Sequence, residues 1–292
     1  MEKDSKRYVI AVWWFVMSLA VSSMNDALQK YLSSNIGFFQ VVFFRFFFAS
    51  VVLLPILLLG GVKSFYTPRI YIHFIRGLFL FVAISLWCYG LTIVPMVTAT
   101  VLTFTIPLFV LILARIFLKE QVSVPFIIAT LLGFSGAVIA LDVTHIAFEI
   151  KAFVIILAAL LFASLDVINK KFVHQETTTS MLFYSALFTA ILAFVPMMYN
   201  WIDLSWNDYA LFFLLGIGGN LILFCLLKAF KKADASALAP YRYLELLLSA
   251  SLGFFLFSEM PTVMLVAGAA IIIPSTLFIA LYKGAAEKDR SK

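Results

Sequence analysis

A short polar face interrupts the apolar segment PYRYLELLLS at 240–249. Arg242, Glu245 and Ser249 follow one another at intervals of three and four residues, which places them on one side of a helix. A guanidinium can bind a carboxylate through two parallel hydrogen bonds, and a carboxylate can bind an ammonium or sulfonium group. The face therefore predicts either a site for a zwitterionic molecule, where the ring of Tyr241 would offer a surface for a cation, or an internal Arg–Glu pair.

A second polar face lies in and before the segment MNDALQKYL at 24–32. Its members recur every three or four residues and so share one side of a helix: Ser18, Ser22, Asn25 and Gln29. Polar groups facing lipid would lack hydrogen-bond partners, so this side is expected to face the interior of a bundle or a water-filled cavity. Asn25 is therefore a candidate substrate-binding residue.

Two Asp–Lys pairs occupy equivalent places in the chain. Asp26 can pair with Lys30 one helical turn later, and Asp166 can pair with Lys170 in the same way. Such pairs either mark the ends of helices or act as gates or coupling acids. Asp26 and Asp166 are therefore candidates for gating, and both interpretations stay open at the level of sequence.

Three arginines lie within apolar segments that no loop interrupts: Arg45, Arg76 and Arg242. A charge at the centre of a membrane costs about 2.5 to 3.5 kcal/mol on insertion scales, so each needs a compensating partner. Arg76 is close enough to a predicted helix end to extend its charge to the surface, which favours a structural role. Arg45 lies among phenylalanines and either pairs with Asp26 or binds an anionic group of a substrate.

Residues that suggest other chemistry are sparse. Trp87 and Tyr89 could stack on an aromatic group of a substrate, but ordinary packing is the simpler explanation in a chain with 16% aromatic residues. The histidines and cysteines lack the spacing of a metal site: His73, His145, His174, Cys88 and Cys225. No acid pair or nucleophile–base grouping is apparent, so the sequence predicts no enzyme, no metal and no cofactor.

The candidate residues must be positioned by helices in a lipid bilayer. Of the 292 residues, 64% are hydrophobic and 12% are charged, whereas soluble domains average roughly a quarter charged residues. Apolar segments of about 20 residues can span the hydrocarbon core. Ten spans are predicted, the fourth following a turn at Pro95: 8–30, 36–60, 70–91, 96–118, 122–141, 150–171, 179–200, 208–229, 237–258 and 262–282.

Lys and Arg residues are distributed unevenly between the two ends of these spans. Of the 21 in the chain, three lie within spans and two, Lys30 and Lys151, fall at one end, which leaves sixteen at the other. Because positively charged loops stay in the cytoplasm, this asymmetry predicts an even number of spans and two cytoplasmic termini. The net charge of +6 thus reflects topology and indicates no nucleic-acid partner.

Internal repetition divides the chain into two halves. Asp26 recurs as Asp166 after 140 residues, and Gly77 recurs as Gly216 after 139. We therefore expect two five-helix repeats, at 1–145 and 146–292. Because five is odd, the second repeat is inverted in the membrane, an arrangement common in secondary transporters that hold their substrate near the midplane. The predicted fold is an all-α integral membrane protein of ten transmembrane helices.

A glutamate closes the fourth helix of each half, in IFLKE at 116–120 and LFSE at 256–259. These motifs, the ten spans and the two halves resemble the EamA-type branch of the drug/metabolite transporter superfamily, over essentially the whole chain. The resemblance implies a central cavity, lined mainly by the first, third and fourth helices of each half, and transport of small organic metabolites. MNDALQKYL also resembles the end of the first helix in a subgroup of S-adenosylmethionine uptake carriers.

The expected function is alternating-access transport of a small metabolite across a bacterial inner membrane, with S-adenosylmethionine as the favoured substrate. Asp26 and Asp166 would serve as gate or coupling acids, and the expected substrate-binding residues are Asn25, Arg45, Trp87, Tyr89, Tyr241, Arg242 and Glu245. The amino-acid end would bind Arg242 and Glu245, the sulfonium a tyrosine and the adenine Trp87. The alternative is an exporter of amino acids or related metabolites.

The expected partners are a small-molecule substrate and the lipid bilayer. Ala129, Gly133 and Ala137 recur every four residues, the small-residue pattern that lets helices approach closely. This stripe predicts either tight packing within the chain or the contact surface of a homodimer.

Overall fold

The computed structural model describes residues 2–33, 36–59, 66–93, 96–142, 152–199, 201–257, 260 and 262–289, and within these ranges every regular element is a helix. The helices are α1 (Glu2–Ser33), α2 (Phe38–Leu59), α3 (Ile70–Ile93), α4 (Met96–Thr103), α5 (Ile106–Leu113), α6 (Val124–Ala140), α7 (Phe153–Phe172), α8 (Thr178–Met198), α9 (Trp206–Phe230), α10 (Ala235–Leu238), α11 (Leu244–Phe257) and α12 (Val263–Asp289). The turn predicted at Pro95, the repeat boundary at 145–146, Glu259 and the side chain of Lys30 lie outside what the structure describes.

Ten spans are present at the positions that the sequence predicts. In the described part of the chain, eight segments are long and apolar enough to cross a membrane, and α6 is a shorter apolar helix. The remaining span, the ninth along the chain, is the segment formed by α10, a 3₁₀ turn at Ala239–Tyr243, and α11. Local signals fix several ends: Thr177 caps α8 by accepting from the Ser180 amide, and Ser205 with Asp208 forms a capping box on α9.

The fourth and ninth spans are broken helices, which corrects the expectation of one continuous helix in each. Between α4 and α5 the chain turns at Phe104 and Thr105, and Pro107 follows in the first turn of α5. Proline has no amide hydrogen to donate, so it cannot continue the hydrogen-bond ladder of the preceding helix. In the ninth span the 3₁₀ turn contains Pro240 and separates α10 from α11. Both breaks fall at equivalent places of the two repeats.

Helix packing follows the repeat. Helix α1 packs on α9 as its counterpart α7 packs on α3, and α2 packs on α9 as α8 packs on α3. The remaining extensive contacts, α2 with α8 and α6 with α12, join equivalent helices to each other. A pseudo-twofold axis between the two repeats therefore either exchanges each contact with an equivalent one or maps the contact onto itself.

Gly77 and Gly216, matched in the sequence repeat, make equivalent close contacts. A Cβ atom on Gly77 would lie 2.5 Å from Cβ of Phe188 on α8, and one on Gly216 would lie 2.7 Å from the backbone nitrogen of Ala49 on α2. Only glycine lets these backbones approach so closely. The two positions hold α3 against α8 and α9 against α2.

The largest core cluster lies at the end of the bundle where α1 begins. It contains Tyr8, Phe15 and Leu19 of α1 together with Phe230 at the end of α9 and Ile279 of α12. A smaller cluster around Leu32, Phe44 and Phe212 packs the opposite end of α1. The end that holds the beginning of α1 and the end of α12, which we call the termini end, is therefore closely packed around α1.

The stripe of Ala129, Gly133 and Ala137 is buried within the chain. A Cβ atom on Gly133 would overlap the ring of Tyr243, and Gly136 approaches the backbone of Gly268 on α12. The small residues of α6 therefore let the 3₁₀ turn and α12 pack closely inside one chain, as the first interpretation of the stripe predicts.

Candidate functional site

An ion pair joins the two repeats in the interior of the bundle. Nη2 of Arg242 donates to Oδ2 of Asp166 at 2.7 Å, linking the 3₁₀ turn of the ninth span to α7. Asp166 is buried, and the side chain of Arg242 is largely shielded from solvent. The direct partner of Arg242 is thus Asp166 and not Glu245, which lies three residues later in the sequence. Asp166 also lies one helical turn before Lys170.

Glu245 and Asp26 approach each other from α11 and α1. The two carboxylates repel each other electrostatically, and the Ser22 hydroxyl lies near both. Asp26 is exposed and Glu245 is half-buried, although both interact with charges on neighbouring helices. The two acids therefore face an opening between helices and not a closed core.

Arg45 projects from α2 into a setting of amide groups. Its Nη1 donates to Oε1 of Gln29, and with the Asn25 amide oxygen turned toward it, Nη2 donates to Asn25 at 3.0 Å. In that orientation the Asn25 nitrogen donates to the Leu215 carbonyl at 3.3 Å. Arg45 also attracts Asp26 electrostatically, but no direct ion pair joins them among the described residues, so the pairing with Asp26 stays a prediction.

Two glycines of α9 leave room for this arrangement. A Cβ atom on Gly218 would overlap the Asn25 amide, whereas one on Gly219 would lie 3.7 Å from Nε of Arg45, an ordinary contact distance. The segment GIGGN therefore provides space beside Asn25 and Arg45. In the same segment, Asn220 donates to the Ala49 carbonyl at 2.7 Å and joins α9 to α2.

We call Asp26, Arg45, Asp166, Arg242 and Glu245 the central charge cluster. Electrostatic interactions connect its members, since Asp26 interacts with Arg45 and Glu245 interacts with Asp26, Arg242 and Asp166. Its side chains come from α1, α2, α7 and the ninth span, so both repeats contribute. Glu245 lies about midway between the ends of its span, near the depth at which repeat transporters bind their substrates.

Two of the predicted aromatic residues, Trp87 and Tyr241, pack in apolar core clusters. Trp87 packs against buried side chains of the neighbouring helices, among them Ala99 and Ile155, and Tyr89 is 58% exposed. Tyr241 is buried in the large core cluster, where its hydroxyl group lies 3.3 Å from that of Tyr8.

Ser22, Gln29, Gly218 and Gly219 are candidate site residues that the sequence-based list omits. Ser22 and Gln29 lie on the predicted polar face of α1, so their spacing carried the necessary signal. In the sequence the two glycines indicate only a helical segment with little side-chain volume. Their relation to Asn25 and Arg45 depends on the packing of α9 against α1 and α2, which spacing within one helix does not report.

Contacts at the termini end close the bundle below the cluster. Tyr8 donates to the Ala237 carbonyl at 3.3 Å as well as meeting Tyr241. Nζ of Lys170 donates to the carbonyls of Phe230 and Ala233 at 2.8 and 2.6 Å, which caps the end of α9.

Glu120 completes this closure from the end of the fourth span. Its carboxylate accepts from the backbone amides of Ala235 and Ser236 at 3.0 and 2.9 Å, and from the Ser236 hydroxyl at 2.6 Å, which caps the start of α10. Lys119 adopts the left-handed conformation, with φ of 56°, that turns the chain at this point. We call the contacts of Tyr8, Lys170 and Glu120 the termini-end seal.

A separate buried network holds Arg76. The side chain is 1% exposed, and it donates from Nε to Asn169 at 2.8 Å and from Nη1 to the Met181 carbonyl at 3.0 Å. His73 lies 3.1 Å from Nη1 and 3.6 Å from Glu176. Arg76 thus has the structural role that the sequence favours. The expectation that its side chain extends to the surface was wrong, because buried protein groups bind the guanidinium instead.

Comparisons with known proteins agree with this architecture. The model of the EamA-like transporter family matches residues 9–141 and, a second time, residues 150–281. The S-adenosylmethionine uptake transporter of Rickettsia prowazekii is 49% identical, with 96% of this chain and 95% of that protein covered. The riboflavin transporter of Vibrio cholerae is 30% identical, with 92% of each covered.

A solved crystal structure supports the same fold at greater distance. It superposes with a TM-score of 0.80 over 97% of this chain and 99% of its own, at 18% sequence identity, a likeness that shows the fold alone. Two family matches together cover most of the sequence, and each coincides with one set of five spans. The chain belongs to the EamA-like transporter family.

Proposed function

We propose that this chain imports S-adenosylmethionine across a bacterial inner membrane by alternating access. The observation that carries the proposal is the formal charge of the central charge cluster, in which three carboxylates face two guanidinium groups and leave one negative charge in excess. S-adenosylmethionine has a carboxylate, an ammonium and a sulfonium, and so one positive charge in excess. Substrate and site are thus complementary, and the 49% identical relative is named for this substrate.

Alternating access suits the distribution of contacts around the cluster. The termini-end seal closes one end of the bundle, while the exposed Asp26 faces an opening above it. Two inverted repeats can exchange these roles by rocking about the site between them, so that the seal opens as the other end closes. The substrate then leaves toward the end it could not reach before.

We place the termini end in the cytoplasm. The uneven distribution of Lys and Arg supports this orientation, and several of these cations gather at the described part of the termini end. There, partial desolvation and the neighbouring Lys170, Lys231 and Arg7 lower the pKa of His174. The relatives are named as transporters, and we assign the acids of the cluster to binding and not to catalysis.

Uptake of labelled S-adenosylmethionine by proteoliposomes tests the proposal. We expect saturable uptake that is accelerated when unlabelled substrate is placed inside the vesicles, because a carrier exchanges substrate across the membrane. Glu245→Gln is expected to reduce this exchange strongly. Ser251→Ala, on the exposed side of the same helix, is the matched control and should behave like the wild type.

Two results would contradict the proposal. Vesicles with folded wild-type protein that show no saturable uptake would remove S-adenosylmethionine as the substrate. Uptake that is inhibited equally well by riboflavin would indicate the substrate class named for the more distant relative. Neither result would alter the assignment to the family.

A further inference from the structure

The five charges of the central cluster are not equivalent. Arg242 and Asp166 form its direct ion pair, at 2.7 Å, and their charges cancel. Arg242 also attracts Glu245, but its Nη2 is engaged by Asp166. Removing this neutral pair from the sum leaves Arg45, Asp26 and Glu245, with one positive and two negative charges.

Arg45 remains available for an anion. The hydrogen bonds of its guanidinium go to the neutral amides of Gln29 and Asn25, and Asp26 attracts it without a direct ion pair among the described residues. Neutral acceptors do not cancel its charge, and a half-buried guanidinium without a contacting carboxylate favours one from a ligand.

Asp26 and Glu245 are correspondingly available for cations. The Ser22 hydroxyl lies near both and has a single hydrogen to donate, so it cannot satisfy two carboxylates at once. Their mutual repulsion raises the cost of leaving them without a cation. Because Asp26 is exposed and Glu245 half-buried, a ligand entering the opening can reach both.

We infer that these three residues recognise the three charges of a sulfonium amino acid one by one. Arg45 binds the carboxylate, Asp26 binds the α-ammonium and Glu245 binds the sulfonium. Carboxylate and ammonium share one carbon atom, which matches the mutual attraction of Arg45 and Asp26, while the sulfonium lies further along the chain toward the deeper Glu245. This assignment rests on the proposed function and reassigns the sequence-based placement of the amino-acid end on Arg242.

The assignment makes Glu245 the residue that determines specificity at the sulfur atom. S-adenosylhomocysteine has a neutral thioether in place of the sulfonium, and its binding would leave Glu245 without a cation. Decarboxylated S-adenosylmethionine retains the sulfonium but has no carboxylate for Arg45. Each analogue thus removes one of the three proposed charge contacts.

Competition binding to purified protein, with labelled S-adenosylmethionine as the probe, tests the assignment. Wild-type protein is expected to bind S-adenosylmethionine at least about tenfold more tightly than either analogue, a ratio equivalent to about 1.4 kcal/mol. Glu245→Gln should lose the preference over S-adenosylhomocysteine and keep the preference over the decarboxylated analogue. Arg45→Gln should show the opposite pattern, and Glu245→Asp and Ser251→Ala should retain both preferences.

The outcomes separate the inference from the proposed function. Folded wild-type protein without saturable S-adenosylmethionine binding contradicts the proposed function. Wild-type protein that binds S-adenosylmethionine and S-adenosylhomocysteine equally well overturns the inference, and it does so without any variant that might fail to fold. A Glu245→Gln protein that binds S-adenosylmethionine and keeps its preference over the thioether also overturns it.

Discussion

The hydroxyl of Tyr243 donates a hydrogen bond to the carbonyl of Phe104 at 3.3 Å, across a sequence separation of 139 residues. That separation is also the spacing of the repeat that matches Gly77 to Gly216, so the two residues are counterparts in the two halves. Their rings lie 5.8 Å apart. The breaks of the fourth and ninth spans therefore contact each other near the pseudo-twofold axis. The break leaves the Phe104 carbonyl without a partner in its own helix, and the Tyr243 hydroxyl donates to it instead.

Tyr243→Phe is expected to destabilise the protein by about 1 to 2 kcal/mol, because it leaves the buried Phe104 carbonyl without this donor. Thermal unfolding in detergent measures the change. Tyr66→Phe, at an exposed position, should unfold like the wild type. Equal unfolding temperatures for all three proteins would show that the contact between the two breaks adds nothing to stability.

The adjacent glycines of α9 provide a matched pair of substitutions. Gly218→Ala is expected to weaken S-adenosylmethionine binding about tenfold, because its methyl group displaces the Asn25 amide from Arg45. Gly219→Ala introduces the same methyl group at an ordinary contact distance and should leave binding within about threefold of the wild type. Both changes raise helix propensity equally, so binding isotherms compare the two contacts alone. Identical affinities for the two variants would argue against a role of Asn25 in the site.

Arg76 is expected to stabilise the fold without binding the substrate. Arg76→Leu leaves the Asn169 amide oxygen without its donor and the buried Glu176 without a nearby cation. Such a change costs about 3 to 5 kcal/mol in comparable networks. The yield of monodisperse protein and the unfolding temperature should both fall. Arg69→Ala, which removes a more exposed arginine at the same end of the bundle, should change stability by less than about 1 kcal/mol.

The function of the surviving Arg76→Leu protein distinguishes the two roles. Any folded fraction should bind S-adenosylmethionine with the affinity of the wild type, since the network lies outside the central charge cluster. A well-folded variant with a large loss of affinity would instead place Arg76 in the binding machinery.

Glu120 is expected to hold the termini-end seal closed. Glu120→Gln keeps the shape of the side chain but removes the charge that strengthens its three hydrogen bonds to the start of α10. In a cysteine-free background, Ala237→Cys reports on the seal, because Ala237 is fully buried in it. A membrane-impermeant thiol reagent applied at the termini end should label this cysteine several times faster with Glu120→Gln than with Glu120. Unchanged labelling would mean that the cap contributes nothing to closure.

Most spans were predictable because each one is a long apolar segment bounded by charged or turn-forming residues, and the ends of α3 and α8 fall within a few residues of the expected positions. The two broken spans were not predicted. Hydropathy alone reports a continuous apolar segment through Phe104 and through Tyr243, and a proline inside a membrane helix can either bend it or end it. The contacts between the breaks, which decide the matter, come from opposite halves of the chain.

The candidate site shows the same division. Spacing indicated the polar faces of α1 and α11, and with them Asn25 and Glu245, because side chains on one helix recur at known intervals, whereas Asp26 stood out through its spacing from Lys30 and its repeat in Asp166. For Arg242 the sequence offered either a substrate or Glu245 on its own helix as the partner, whereas the structure pairs it with Asp166, 76 residues earlier. Such pairing depends on how α7 packs beside the ninth span. Periodicity within a helix has no information about it.

The paired packing of the two halves bears on the thermodynamics of the transport cycle. Contacts of α1 with α9 and of α7 with α3 have the same architecture, so opening one end and closing the other exchanges one set of contacts for a similar set. We therefore expect the two end states to differ little in free energy, so that the fold itself would be no one-way valve. Net flux would follow the chemical potential of the cargo, and a cell that consumes S-adenosylmethionine would draw it inward through a carrier that is intrinsically reversible.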